Sequence, residues 1–111
     1  MNALPDPEDI DAATRLINQY AVSDWVRLSY SSHAREKLRK RYVPQGVVEI
    51  ALKSGSVVAF RVVTMQGHVT YRYKVRWVDR FGAVNVVTVI PGFHRLHIIT
   101  VFPDESDDDT W

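Results

Sequence analysis

The pattern of apolar and polar positions changes its period near residue 56, from a helical spacing to an alternation of two. Ahead of that point, apolar residues recur every three or four positions over 7–21, which predicts a helix with one apolar stripe. The stripe consists of Ile10, Ala13, Ile17 and Tyr20. Two more helices are predicted, one that begins at the capping serine Ser32 and one over 44–55. A short run rich in aromatic and β-branched residues at 25–30 predicts a strand between the first two helices.

Four strands are predicted after residue 56, because apolar and polar side chains alternate there and short turns separate the runs. The predicted strands are Val57–Met65, Val69–Val78, Ala83–Ile90 and Leu96–Phe102. Their short links contain turn residues such as Gly67 and Pro91, which is typical of an antiparallel meander. The sequence therefore predicts an α+β domain, in which N-terminal helices pack on a four- to five-stranded antiparallel meander sheet.

The strand predicted over 69–78 shows the alternation most clearly. Its apolar row is expected to face the helices and its polar row to lie on the opposite face. The apolar row is Val69, Tyr71, Tyr73, Val75 and Trp77, and the polar row is Thr70, Arg72, Lys74 and Arg76. Arg61 of the neighbouring strand is expected to extend the polar row. We therefore predict a straight stripe of cations on the face away from the helices.

Both faces of the last two strands carry apolar residues. One face is predicted to hold Val87, Val89, Ile99 and Val101, and the other Val86, Thr88, Ile98 and Phe102. An apolar sheet face must be covered, because water solvates it poorly. Part of the outer face is therefore expected to lie under the N-terminal helix or under a second subunit. In the second case the protein is a homodimer.

Charge is sorted along the 111 residues. Residues 1–24 carry five acids and one base, residues 25–103 carry three acids and thirteen bases, and residues 104–111 carry five acids and no base. The segments have formal charges of −4, +10 and −5, and we interpret them as an acidic N-terminal helix, a basic α+β domain and an acidic disordered tail. A basic body between acidic ends favours a polyanion such as RNA as partner. The acidic ends are expected to lie over the basic face when RNA is absent.

Composition narrows the class of protein. A hydrophobic content of 46% with 11% aromatic residues predicts one folded domain. The absence of cysteine excludes a disulfide framework and a thiolate metal site. We expect a cytoplasmic protein without membrane contact, because no apolar run approaches a bilayer span and no signal peptide is recognised. With no phosphate-binding loop, dinucleotide motif or paired aspartates, neither a cofactor nor a metal is predicted.

Several short motifs occur in an order that resembles a known family. They are His33-Ala34, then Arg41, the helix VVEIALKSG, the run RWVDRFG and the final strand LHIITVF. They are similar to a widespread bacterial family of small uncharacterised domains, grouped with the RelE/ParE-like toxins and the barnase–EndoU–colicin–RelE superfold of metal-independent ribonucleases. The match covers residues 25–103. The chain departs from the family at Tyr42, where Gly is more frequent, and at Phe102, where Tyr is common.

This resemblance implies an RNA-directed, toxin-type domain: a metal-independent endoribonuclease or a translation-targeting relative, with a cognate antitoxin or immunity protein as partner. His33 would transfer protons, while Arg41 and Arg76 would stabilise charge on the phosphate. The cations expected to hold nucleic acid are Lys37, Lys40, Arg61, Arg72 and Lys74. Two alternatives stay open, a non-catalytic protein-interaction module and a nucleic-acid-binding regulator without chemistry.

If His33 lies on the helix-covered face of the sheet, it can meet the stripe of cations only at an edge.

Overall fold

The computed structural model describes residues 6–80, 82–103 and 111 of the chain. Its elements are α1 (Ile10–Val22), β1 (Arg27–Tyr30), α2 (Ser32–Lys40), α3 (Gln45–Ser54), β2 (Ser56–Met65), β3 (His68–Asp79), β4 (Gly82–Gly92) and β5 (Arg95–Pro103). These elements confirm the predicted α+β class. Of the disordered tail predicted over 104–111, residues 104–110 lie outside the described residues and only Trp111 lies within them. Among the helices of the described part, none has the length and hydropathy needed to cross a bilayer.

Side-chain caps at the helix starts explain where α1 and α2 begin. Asp9 caps α1, because its carboxylate accepts a hydrogen bond of 3.0 Å from the N–H of Ala12. The cap of α2 is Ser31 and not the predicted Ser32, since the Ser31 hydroxyl accepts a 2.9 Å bond from the N–H of Ala34. Each cap satisfies a main-chain donor that the helix leaves unpaired.

The five strands form one sheet in the order β1-β5-β4-β3-β2. Strands β2 to β5 pair antiparallel with their neighbours in the chain. Strand β1 pairs parallel with β5, from Arg27 opposite Arg95 to Tyr30 opposite Ile98. The sheet is therefore mixed, and the prediction of a wholly antiparallel sheet is wrong at this edge. Two helices and three strands separate β1 from β5 along the chain, so no hairpin turn dictates their direction.

The three helices pack on one face of the sheet, which we call the inner face. Ile17 of α1, Leu38 of α2 and Leu52 of α3 join one apolar core with strand residues such as Val75 and Ile98. Helix α1 is also tied to its neighbours by polar groups. Its Asn18 amide donates to the carbonyl of Leu52 at 2.7 Å, and its Thr14 hydroxyl accepts from the N–H of Val57 at 2.8 Å. The acidic N-terminal helix is thus part of the same core as the basic domain.

A β-bulge in β5 moves two residues to faces other than those predicted. The register of β4 with β5 skips Ile99, which shifts the alternation by one position from there on. Val101 consequently joins the inner core, while Phe102 packs beside Val87 on the opposite, outer face. The predicted faces of Val101 and Phe102 are wrong, because a strict alternation of two contains no bulge.

Candidate nucleic-acid interface

A row of cationic side chains crosses the outer face of the sheet. Tyr73 and Val75 of β3 point into the inner core, so the residues that alternate with them lie on the other side. The row, which we call the basic stripe, consists of Arg61 on β2 and Arg72, Lys74 and Arg76 on β3. Arg61 lies directly opposite Arg72 in the register. Like charges in opposed positions disfavour the strand pair, so this arrangement costs stability unless electron-rich groups share the site.

Trp111 lies on the basic stripe. The centroid of its indole ring is 4.5 Å from Cζ of Arg61 and 5.3 Å from Nζ of Lys74. At these distances the electron-rich face of a ring attracts a cation. Nη1 of Arg72 donates a hydrogen bond of 3.0 Å to the carbonyl oxygen of Trp111. Three cations of the stripe therefore hold one aromatic residue by its ring and by its main chain.

An apolar floor lies beneath the Trp111 side chain. Val87 and Phe102 form a buried cluster with it, and Ala59 and Ile99 pack at the margin. The exposed fraction of Trp111 is 6%, which makes it one of the buried residues of the protein. Trp111 covers part of the apolar outer face. The prediction that the N-terminal helix covers this face is wrong, because the stripe of α1 packs into the inner core.

This arrangement is suited to a ligand that combines planar rings with anionic oxygens. Arginine stacks on flat rings and also donates paired hydrogen bonds to phosphate. Val87 and Phe102 add an apolar surface against which a ring is desolvated. Nothing in the charge pattern had distinguished Trp111 from the acidic residues before it. The signal in the sequence was one aromatic residue just beyond an acidic run, in a chain with an expected cationic sheet face.

His33 lies in the first turn of α2 and is exposed to solvent. Helix α2 packs Ala34 and Leu38 into the inner core, so His33 belongs to the helical side of the molecule. Arg76 belongs to the outer face of β3. The structure therefore does not bring the imidazole of His33 and the guanidinium of Arg76 together, since the sheet lies between them.

Arg41 directly follows α2, and its guanidinium bonds to the sheet. Strand β1 pairs with β5 only as far as Ile98, and from there the edge of β5 is open. Nη1 of Arg41 donates to the carbonyl of Val101 at 2.6 Å, and the Ser31 hydroxyl donates to the carbonyl of Ile99 at 2.8 Å. Side chains at the two ends of α2 thus replace the missing strand at this edge.

The two lysines predicted to hold nucleic acid on α2 form part of a second cationic surface. Lys40 makes an ion pair of 2.8 Å with Glu36, in the order along the helix that favours such pairs. The hydrogen bond from Lys40, and then its charge, hold the pKa of Glu36 below its usual value. Lys37 is half-buried along the same helix. This surface lies on the helical side, across the sheet from the basic stripe.

A serine and a histidine form a further polar pair on the outer face, at the β1 edge. Oγ of Ser29 lies 2.7 Å from Nδ1 of His97, and the two residues are opposite each other in the register. Arg27 and Arg95, two positions earlier on each strand, are also opposite each other and exposed. Leu96 and Ile98 point into the inner core, which sets His97 on the face that carries the basic stripe. Sequence reasoning missed this pair, because β1 was not expected beside β5.

An apolar groove of about 740 Å³ opens on the helical side, between the start of α1 and the ends of β3 and β4. The hydroxyl of Tyr73 donates to the carbonyl of Pro7 at 2.8 Å within it. Burial raises the pKa of Tyr73, and the charges of Tyr71 and Asp6 raise it further. Among the described residues that line the groove, only these two tyrosines and the aspartate have ionisable side chains. The groove is thus suited to apolar contact and not to proton transfer.

No family model matches this chain, and neither a curated protein nor a solved structure matches it significantly. The resemblance to the RelE/ParE-like toxins stays a prediction from the short motifs. The two cationic surfaces are therefore the features of this chain that bear on its function.

Proposed function

We propose that this protein binds RNA through the basic stripe on the outer face of its sheet. The observation that carries the proposal is the alignment of Arg61, Arg72, Lys74 and Arg76 on two adjacent strands of one face. Contacts between such cations and phosphates provide most of the sequence-independent affinity for nucleic acid. The formal charge of +10 on residues 25–103 adds a long-range attraction for any polyanion.

The outer face is favoured over the α2 surface for a physical reason. Arg61, Arg72 and Lys74 already engage a ring and an oxygen, the two kinds of group that a nucleotide offers. On α2, Lys40 is engaged by Glu36, and Arg41 is used to complete the edge of β5. These contacts with Trp111 support the stripe as the surface for RNA.

Charge-matched variants test this proposal. The double variant Lys74→Ala/Arg76→Ala removes two cations from the stripe, and the control Arg35→Ala/Arg39→Ala removes two exposed cations from α2. Fluorescence anisotropy with a labelled poly(U) RNA measures affinity over a series of salt concentrations. Loss of two phosphate contacts is expected to flatten the slope of log K against log salt by about 1.4 for the stripe variant. An unchanged slope in the stripe variant, with a flattened slope in the control, would contradict the proposal.

Ribonuclease chemistry of the toxin type is the narrower hypothesis, and it rests on the resemblance. Cleavage without a metal needs a general base and a general acid near the bound phosphate, and an imidazole can serve as either near neutral pH. The sequence singled out His33, whereas His97 lies on the same face as the stripe, as does His68 at the start of β3. Expression of the protein is expected to arrest growth if it is such a toxin, and His33→Ala and His97→Ala identify which imidazole the arrest requires. Growth at the wild-type rate during expression of the intact protein would contradict the toxin hypothesis while leaving RNA binding untouched.

A further inference from the structure

The contacts of Trp111 match those that an unpaired nucleotide requires. Arg61 and Lys74 lie within 4.5 Å and 5.3 Å of its ring centroid, and the Arg72 guanidinium holds its main-chain oxygen. A nucleobase presents a flat π-face to a cation, as an indole does, and a phosphate oxygen accepts a hydrogen bond from arginine, as a main-chain oxygen does. The surroundings of Trp111 therefore offer the kinds of contact that one base and its phosphate can make.

We propose, on the basis of the RNA-binding function above, that Trp111 occupies the stacking subsite for an unpaired base and competes with RNA for it. The proposal names the ligand class as single-stranded RNA, because a base within a duplex stacks on its neighbours and does not offer its face. It also assigns Trp111 a regulatory role, since RNA reaches the subsite only when the indole leaves.

The acidic sequence before Trp111 adds to the chemical similarity between this segment and single-stranded RNA. The seven residues that join Pro103 to Trp111 carry five acids and no base. Anionic groups along a chain that bears a planar ring are the combination that single-stranded RNA presents to a basic surface.

Covalent attachment makes Trp111 an effective competitor even if its contacts are individually weak. A tethered group acts at an effective concentration in the millimolar range when its linker is short. The apparent dissociation constant for RNA is the intrinsic one divided by the fraction of molecules in which the subsite is open. If Trp111 occupies the subsite in nine molecules of ten, its removal tightens RNA binding about ten-fold.

Two substitutions of Trp111 test the competition. Trp111→Ala removes the ring, and the matched control Trp111→Phe keeps an aromatic ring of smaller size. We expect Trp111→Ala to bind poly(U) RNA about ten-fold more tightly than wild type, with a much smaller gain for an RNA duplex. Trp111→Phe is expected to lie between the two. Equal or weaker binding of poly(U) by Trp111→Ala overturns the competition and leaves the RNA-binding function intact. Failure of both wild type and Trp111→Ala to bind poly(U) at low salt overturns the function and the competition together.

A measurement on the wild-type protein tests the competition without relying on a variant that could fail to fold. Addition of poly(U) to the ¹⁵N-labelled wild-type protein is expected to move the indole N–H resonance of Trp111 to the position of an exposed indole. Trp25, which is 80% exposed, provides the reference for that position. If RNA binds and the Trp111 resonance stays in place, the indole does not leave the subsite and the competition is overturned.

Discussion

A substitution of Arg41 tests whether a residue singled out by the resemblance has a structural role in place of a catalytic one. Its guanidinium donates a 2.6 Å hydrogen bond to the carbonyl of Val101, a residue with no exposed surface. The change Arg41→Met keeps much of the aliphatic stem but removes the donor. The Val101 carbonyl then loses its partner at the edge of β5, and an unpaired main-chain acceptor in a buried setting is costly.

The size of the effect follows from the type of bond. Hydrogen bonds from charged donors contribute about 1.5–3 kcal/mol, so we expect Arg41→Met to lower the free energy of unfolding by about that amount. In a domain of this size the loss corresponds to a fall in melting temperature of roughly 6–18 °C. Thermal unfolding followed by circular dichroism measures it. Arg41→Lys keeps the charge without the fork of donors, and it is expected to lose an intermediate amount.

Lys40→Met is the matched control for Arg41→Met. It alters the adjacent position in the same way, but Lys40 pairs with Glu36 across exposed surface, where ion pairs contribute little to stability. We expect its melting temperature to stay close to that of wild type. The structural role of Arg41 is refuted if Arg41→Met and Lys40→Met melt within about 2 °C of each other.

Three further predictions concern positions where the backbone or a buried hydroxyl is decisive. Tyr42 is 91% exposed and has φ of +53°, so Tyr42→Gly is expected to raise the free energy of unfolding by about 0.5–1 kcal/mol in urea titrations. At Gly55 a Cβ would lie 2.5 Å from the carbonyl oxygen of Ala51, so Gly55→Ala is expected to lower the free energy of unfolding by about 1–3 kcal/mol in the same titrations. Gly46 has open space around it, so the control Gly46→Ala is not expected to destabilise the protein. The pKa of Tyr73 is raised above its unfolded value, so its contribution to stability is complete below about pH 10 and is lost as pH rises through the folded pKa. The urea midpoint is therefore expected to fall less steeply between about pH 9 and pH 11 in Tyr73→Phe than in wild type. A steeper fall in Tyr73→Phe would contradict a pKa of Tyr73 that is raised on folding.

Local periodicity was sufficient to predict the three helices and the positions of the five strands. The alternation of Tyr73 and Val75 with cationic residues correctly assigned β3 a buried row, because side chains of a strand point to opposite faces in turn. Pairing between distant strands was not predictable in this way. The parallel contact of β1 with β5 and the bulge at Ile99 depend on packing between segments far apart in the chain, and no local pattern records it.

In the candidate site, too, contacts between segments far apart in the chain could not be predicted from local patterns. The cations of the stripe were identified from spacing alone, whereas Trp111 was predicted only as part of an acidic tail over the basic face, with no contact assigned to its ring. Its position depends on a floor that includes Phe102, and the bulge at Ile99 is what turns Phe102 to the outer face. Arg41 was singled out by resemblance, and its bond to Val101 depends on where β1 stops. Residues whose roles arise from non-local register were thus the ones that the sequence could not explain.

Mapping of the RNA-binding surface by NMR tests the central claim most directly. Stepwise addition of poly(U) to the ¹⁵N-labelled protein identifies the amides whose chemical shifts change. We predict changes concentrated on β2 and β3 around Arg61 and Lys74, together with the indole of Trp111. Changes confined to α2 around His33 and Lys37, with the strands unaffected, would contradict it.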